Sequence, residues 1–295
     1  MVTEFKQAPT MLPLYLKAVG HQANLKNWQL PNTCLQLRAQ RVDANKLARY
    51  RALVGEERSD NTLPVAYPQV LSFPMQMALL TDKGFPFKVM GLVHLTNEIT
   101  QHRSIDAAAS FDLSVDFDGY SPHPKGVVFY VRTRLTLEGE DSPVWVGRAG
   151  YFYRNRKLAD TSAEWRDASI LGQDSIKTID CHLKTTRAYA ANSGDINPIH
   201  LSGPTAKLLG FNKPLAHGMW AMACAYAALQ QQGAVQSEVR FMKPIFLPAR
   251  IELFQQHNQN NNPFSLRSAK TGAVHMTGTI REEKTDEKTM DQASP

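Results

Sequence analysis

Between residues 93 and 153 the chain alternates apolar and polar positions in four runs, 93–99, 108–117, 126–137 and 144–153. Each reads as a β-strand with one buried face. A Gly-Glu-Asp-Ser-Pro segment at 139–143 supplies the turn between the last two. Ahead of them, residues 71–80 gather Phe73, Met75, Met77, Leu79 and Leu80, the pattern of a buried helix with Pro74 in its first turn. The second half repeats this order. Residues 216–230 predict a strongly apolar helix closed by Gly233. Strands are predicted at 237–245, 249–256, 265–270 and 273–280, with a polar hairpin loop at 257–263. Residues 176–183 predict a further strand, and 186–192 a short helical turn that Gly194 is placed to end.

Residues 12–19 form a short apolar segment, and 38–54 have helical composition. The polar stretch 159–175 reads as a linker and 283–295 as a disordered tail. Val93 to Ile99 lines up with Val239 to Ile245. An apolar helix preceded by a Pro and an Ala stands before each: Pro64 and Ala66 in one half, Pro214 and Ala216 in the other. The chain is therefore expected to hold two α+β units, 1–158 and 176–282. A helix apolar on nearly every side must be covered, and a curved antiparallel sheet would wrap it.

Composition narrows the function classes. The net charge of +6 and the pI of about 9.2 suit a polyanionic partner. The basic residues are scattered, so a nucleic-acid tail is not expected, whereas a phosphorylated small molecule would be attracted by the same charge. Cys34, Cys181 and Cys224 are far apart and form no CxxC pair. That argues against a disulfide framework and a structural zinc site, and fits a reducing compartment. The N-terminal residues do not read as a signal peptide. The longest apolar stretch, 216–229, is shorter than the about 20 residues a membrane span needs. A soluble, cytoplasmic protein is expected.

The chemistry concentrates in Tyr189-Ala-Ala-Asn-Ser193-Gly194-Asp195-Ile-Asn197-Pro198-Ile-His200. Gly194 permits a backbone turn that other residues resist, and Pro198 fixes the backbone. A carboxylate, an amide and an imidazole surround these two rigid points. An acid and a base with ordinary pKa values of roughly 4 and 6.5 are suited to moving protons at neutral pH. The residue types alone fit a surface loop rich in turn formers equally well.

The spacing Tyr-x-x-x-Ser-Gly-Asp-x-Asn-Pro-x-His resembles the hydratase motif of the MaoC-like family, the R-specific enoyl-CoA hydratases. Lys213-Pro-Leu-Ala-His217-Gly218-Met219 resembles its second signature, and Val239 to Ile245 the strand that follows. The resemblance covers roughly residues 176–282 and implies a double hot dog fold. It implies one catalytic half, since the first half has no Asp-x-Asn-Pro-x-His and carries Val70-Leu-Ser-Phe-Pro74 where the second signature would stand. That half is then expected to have lost its chemistry and to shape the acyl tunnel.

The activity implied is interconversion of trans-2-enoyl and (R)-3-hydroxyacyl thioesters. Asp195 and His200 would hold and activate a water, Asn197 would orient them, and the Gly218 N–H would stabilise the enolate. Substrate contacts are expected from Ser193, His217, Met219, Arg240 and Lys243. Ser193 could instead cap the turn, Met219 could belong to the core, and Arg240 and Lys243 could meet coenzyme A phosphates or only water. Tyr189 is expected to pack beneath the turn, and His94 and His182 to be incidental. No metal constellation stands out, and no redox cofactor is implied because hydration transfers no electrons. Coenzyme A or acyl carrier protein is the expected handle. The two hot dogs are expected to pair within the chain, with a homodimer as a further expectation. The competing readings are a non-catalytic acyl-binding protein, which has no need of all three motif side chains, and a thioesterase, which uses other residues.

Overall fold

The protein is described by a computed structural model covering residues 1–58, 60–164, 174–256 and 262–282. The first half runs β1 (Val2–Phe5), α1 (Met11–Gly20), β2 (Cys34–Gln40), α2 (Ala44–Val54), α3 (Tyr67–Leu80), β3 (Val93–Gln101), β4 (Phe111–His123), β5 (Gly126–Leu137) and β6 (Trp145–Arg154). The second half contributes β7 (Ser175–Cys181), α4 (Leu183–Ser193), α5 (Gly203–Leu208), α6 (Gly218–Ala228), β8 (Val235–Phe241), β9 (Ala249–Gln255), β10 (Asn262–Ser268) and β11 (Val274–Glu282). The described strands form one sheet in the order β1-β2-β4-β5-β6-β3-β8-β11-β10-β9-β7. β1 lies parallel to β2, and the other neighbours are antiparallel.

The seam between halves is β3 against β8, with Asn97 opposite Val239 and Gln101 opposite Val235. The two segments whose sequences line up are thus direct neighbours. α3 and α6 are the central helices, one in each half of a double hot dog. Their burial is achieved differently. Residues 220–227 of α6 are all buried, and both aromatic polar groups among them are satisfied: the Trp220 indole N–H donates to the Leu53 carbonyl and the Tyr226 hydroxyl bonds Ser237. α3 buries a polar stripe, Gln69, Ser72 and Gln76, at helical spacing. Gln76 Nε2 donates to Ser72 Oγ at 3.0 Å and Thr133 Oγ1 at 3.2 Å, and its Oε1 accepts from the Tyr151 hydroxyl at 3.0 Å. These bonds offset the cost of burying the Gln76 amide.

Several boundaries differ from the sequence reading. α3 begins at Tyr67, with Pro68 in its first turn and Pro74 inside it. Its buried glutamine and serine broke the apolar pattern that marks a helix. Residues 38–54 divide into the end of β2 and α2, separated where Asp43 Oδ1 accepts from the Asn45 and Lys46 N–H groups and starts the helix. β4 starts later than expected and continues to His123 past an irregularity between Phe117 and Tyr120. The expected tail 283–295, the loop residues 257–261 and the linker residues 165–173 lie outside the described residues.

Candidate active site

α4 ends where Gly194 adopts φ 81° and its N–H bonds the Ala190 carbonyl. A Cβ at Gly194 would lie 3.1 Å from Met11 Cγ, so both conformation and space call for glycine. The turn then closes on itself. Ser193 Oγ donates to the Tyr189 carbonyl at 2.8 Å and accepts from Asp195 N–H at 3.2 Å. Asn197 Oδ1 accepts from Ile199 N–H at 3.3 Å, opening a short 3-10 turn, Pro198–His200. The Asn197 N–H donates to Asp195 Oδ1 at 3.4 Å. Four residues of chain therefore curl back and place His200 beside Asp195.

A second strip completes the site. Leu215 N–H donates to the Ile199 carbonyl at 3.1 Å, and Ala216 N–H to the Ile245 carbonyl at 2.9 Å. This carries His217 over His200, with ring centroids 3.7 Å apart. His200 Nδ1 lies 2.8 Å from the Leu215 carbonyl. A carbonyl can only accept, so Nδ1 carries a proton, and in the neutral ring the lone pair is then on Nε2. His217 Nε2 lies 3.0 Å from the Asp195 carbonyl and so is the protonated nitrogen of that ring; its Nδ1 is buried without a partner.

Burial alone would raise the Asp195 carboxyl, but His217, His200, the Tyr15 hydroxyl and the Asn197 N–H outweigh it and hold the group below the usual carboxylate range. Asp195 is thus ionised at neutral pH. Its side chain keeps 30% of its exposure, room for water to reach it. Burial first, then neighbouring His200, pulls His217 down to about 4 against the opposing pull of Asp195. His217 is therefore neutral at pH 7.

Gly218 is the first residue of α6, so its N–H has no carbonyl partner within the helix and lies at the positive end of the helix dipole. A Cβ there would meet the Phe241 ring at 3.0 Å. Asp195, His200, His217 and the start of α6 are thus drawn together. Ser193 has both its hydroxyl bonds within the turn. Met219 is a half-buried residue packed against the core. Arg240 is exposed between the inward-facing Val239 and Phe241, so it projects from the opposite sheet face. Lys243 is exposed beyond the end of β8.

Two contributions come from the first half. The Tyr15 hydroxyl of α1 donates to Asp195 Oδ1 at 2.9 Å, across 180 residues of sequence. His94, read from sequence as incidental, has its ring 4.8 Å from that of Tyr151 and 4.9 Å from that of Phe241, and Asp195 acts on its charge. Neither residue belongs to the Asp-x-Asn-Pro-x-His motif. The signal available for Tyr15 was a phenol among the leucines of the segment 12–19. Although the sequence showed no metal constellation, Asp195, His200 and His217 each offer a ligand atom within 4.8 Å of the others.

The chain has clear relatives. The family model described as MaoC like domain matches residues 170–279. A protein of Mycobacterium tuberculosis named 3-hydroxyacyl-thioester dehydratase X is 32% identical over 266 residues, covering 86% of this chain and 90% of that one. Peroxisomal enoyl-CoA hydratase 2 of Arabidopsis thaliana is 26% identical over 159 residues, covering 50% of this chain and 51% of its own. The crystal structure of HtdX of Mycobacterium tuberculosis superposes with a TM-score of 0.74 at 28% identity, covering 85% of this chain and all of that one. With the motif residues assembled and a relative of this identity aligned along most of its length, the chain belongs to the MaoC-like dehydratase family.

Proposed function

We propose that this protein is a hydro-lyase interconverting trans-2-enoyl and (R)-3-hydroxyacyl thioesters, with Asp195 and His200 as its acid–base pair. The observation that carries this is the proton arrangement at the site. An ionised carboxylate lies near an imidazole whose Nε2 keeps a lone pair, and both are close to the free N–H groups that open α6. A water held between Asp195 and His200 gives a proton to His200 Nε2, and its oxygen adds to the β-carbon. The enolate that forms on the thioester oxygen is stabilised by the Gly218 N–H, a contribution of roughly 3 kcal/mol for one well-placed donor. The proton then passes from the imidazole to the α-carbon, leaving the enzyme unchanged. Run in reverse, the same steps remove water. Asn197 shapes the loop that orients Asp195, and Ser193 holds the turn rather than the substrate.

The reading requires no cofactor, because protons move and electrons do not. The handle is coenzyme A or the phosphopantetheine of an acyl carrier protein, and a cytoplasmic setting and homodimerisation are part of the same proposal. The catalytic half is residues 176–282, and residues 1–158 serve it. Among the described residues no helix is long and apolar enough to cross a membrane. The test is the loss of conjugated-thioester absorbance when crotonyl-CoA and a medium-chain enoyl-CoA are mixed with the protein. Wild type should consume them, and Asp195→Asn and His200→Gln should not. Undiminished turnover in either variant would sink the assignment, and release of free thiol would mark a thioesterase.

A further inference from the structure

We propose that Tyr15, supplied by the half that lacks the motif, is a positioning residue that fixes which oxygen of Asp195 meets the reacting water. This rests on the hydro-lyase reading above. Asp195 Oδ1 accepts from the Tyr15 hydroxyl at 2.9 Å and from the Asn197 N–H at 3.4 Å, so that oxygen is occupied. Oδ2, 3.9 Å from His217 Nε2, is left for the water. The phenol cannot serve as a proton source: burial first, then the nearby carboxylate, keeps it protonated far above any working pH. It is a fixed donor.

Tyr15 is held firmly enough for this role. Leu14, Tyr15 and Ala18 make up the buried face of α1, and α1 packs on α3. Met11, one turn earlier, closes on the space beside Gly194, the residue that launches the catalytic loop. The opposite face of α1, Leu12, Leu16 and Val19, is exposed. The first half therefore completes the active site as well as flanking it. A helix from one half clamps the carboxylate of the other through one hydrogen bond.

The groups facing Asp195 set what a pH profile would report. They are Tyr15 from α1, His94 from β3, Tyr151 from β6, Tyr189 from α4, His200 from the 3-10 turn and His217 before α6. The tyrosines stay protonated, and His94 and His217 are held near 4. A donor bonded to the ionised form lowers a carboxyl pKa, so removing it raises that pKa. Activity that needs the carboxylate ionised is then lost earlier as pH falls, at a higher pH than in wild type.

The experiment is a pH–rate profile of Tyr15→Phe beside wild type, Asp195→Asn and Leu16→Ala. Tyr15→Phe should lower kcat by on the order of tenfold, leave KM within about twofold, and move the acid limb upward by about one pH unit. Leu16→Ala, on the exposed face, should match wild type. An inactive Asp195→Asn alongside a Tyr15→Phe enzyme with wild-type kcat and limb would overturn the role of Tyr15 while leaving the hydro-lyase reading standing. An active Asp195→Asn would overturn that reading first. Should Tyr15→Phe not fold, a ring-fluorinated tyrosine at position 15 is a stronger donor and should shift the limb downward; an unmoved limb overturns the proposal.

Discussion

The imidazoles of His200 and His217 lie face to face, with centroids 3.7 Å apart and planes 27° apart, yet they carry their protons on different nitrogens. His200 donates from Nδ1 to Leu215, and His217 donates from Nε2 to Asp195. Two residues of one type therefore have different tasks, and asparagine and glutamine can separate them. His200→Asn keeps a donor near the Nδ1 position and loses the base. It should cut kcat by roughly 10² to 10⁴ with little change in stability. His217→Gln keeps a donor near the Nε2 position and should retain activity to within about tenfold, whereas His217→Leu should lose most of it. Equal losses in His200→Asn and His217→Gln, measured by enoyl thioester turnover, would contradict this division.

His94 and His217 are both held near 4, chiefly by burial, while an unfolded histidine titrates near 6.5. Between those values the unfolded chain binds protons that the folded chain does not. Stability is therefore fully present above about pH 6.5 and is lost as pH falls toward 4, by up to roughly 3 kcal/mol for each histidine. Urea unfolding at a series of pH values should show this slope. It should flatten by about one proton in His217→Gln relative to wild type. A midpoint independent of pH between 7 and 5 would show that neither ring is buried neutral.

What could be read from the sequence follows from how far apart the cooperating residues lie. Asp195, Asn197 and His200 share one turn, and Gly194 and Pro198 impose its shape, so their convergence is local and legible. Tyr15 reaches Asp195 across 180 residues, brought there by the packing of α1 on α3. His94 likewise comes to the site because β3 is the seam strand. Arg240 shows the limit of a motif read without its facing. It stands in a recognised segment, but strand alternation turns it away from Phe241, on the far side of the sheet from Gly218. β5, β6, β9 and β11 were placed closely because alternation is a strong signal, whereas β1 and β2 were not read as strands and the start of α3 was missed because its buried stripe is polar.

Gly218 and Phe241 meet so closely that the next test is steric. A methyl at position 218 would sit 3.0 Å from the Phe241 ring, inside ordinary contact. Either the ring or the start of α6 must give, and a shift of the helix start moves the Gly218 N–H, the proposed donor to the enolate. Gly218→Ala should lower kcat by about 10²-fold with a smaller change in KM, as loss of an oxyanion donor does. Phe241→Leu in the same chain opens the space and should recover about tenfold of it. No recovery in the double variant would mean that the effect of the methyl does not arise from this contact.

Asp195, His200 and His217 also have the spacing of a cation site, one ligand atom each within 4.8 Å of the others. The Nδ1 donation from His200 to Leu215 is the kind of outer bond that metal-ligating histidines make. A zinc ion would suit these donors, and it would take the place assigned to the reacting water. Hydration by the acid–base pair needs no such ion. Activity should therefore survive prolonged dialysis against a chelator. Added zinc should inhibit competitively with the enoyl thioester, reversibly on chelation, and inhibition should weaken in His217→Gln, which loses the imidazole ligand and stays active. Activity lost on chelation and restored by a divalent ion would instead mean that a metal generates the hydroxide, and that Asp195 and His200 serve as its ligands rather than as the base.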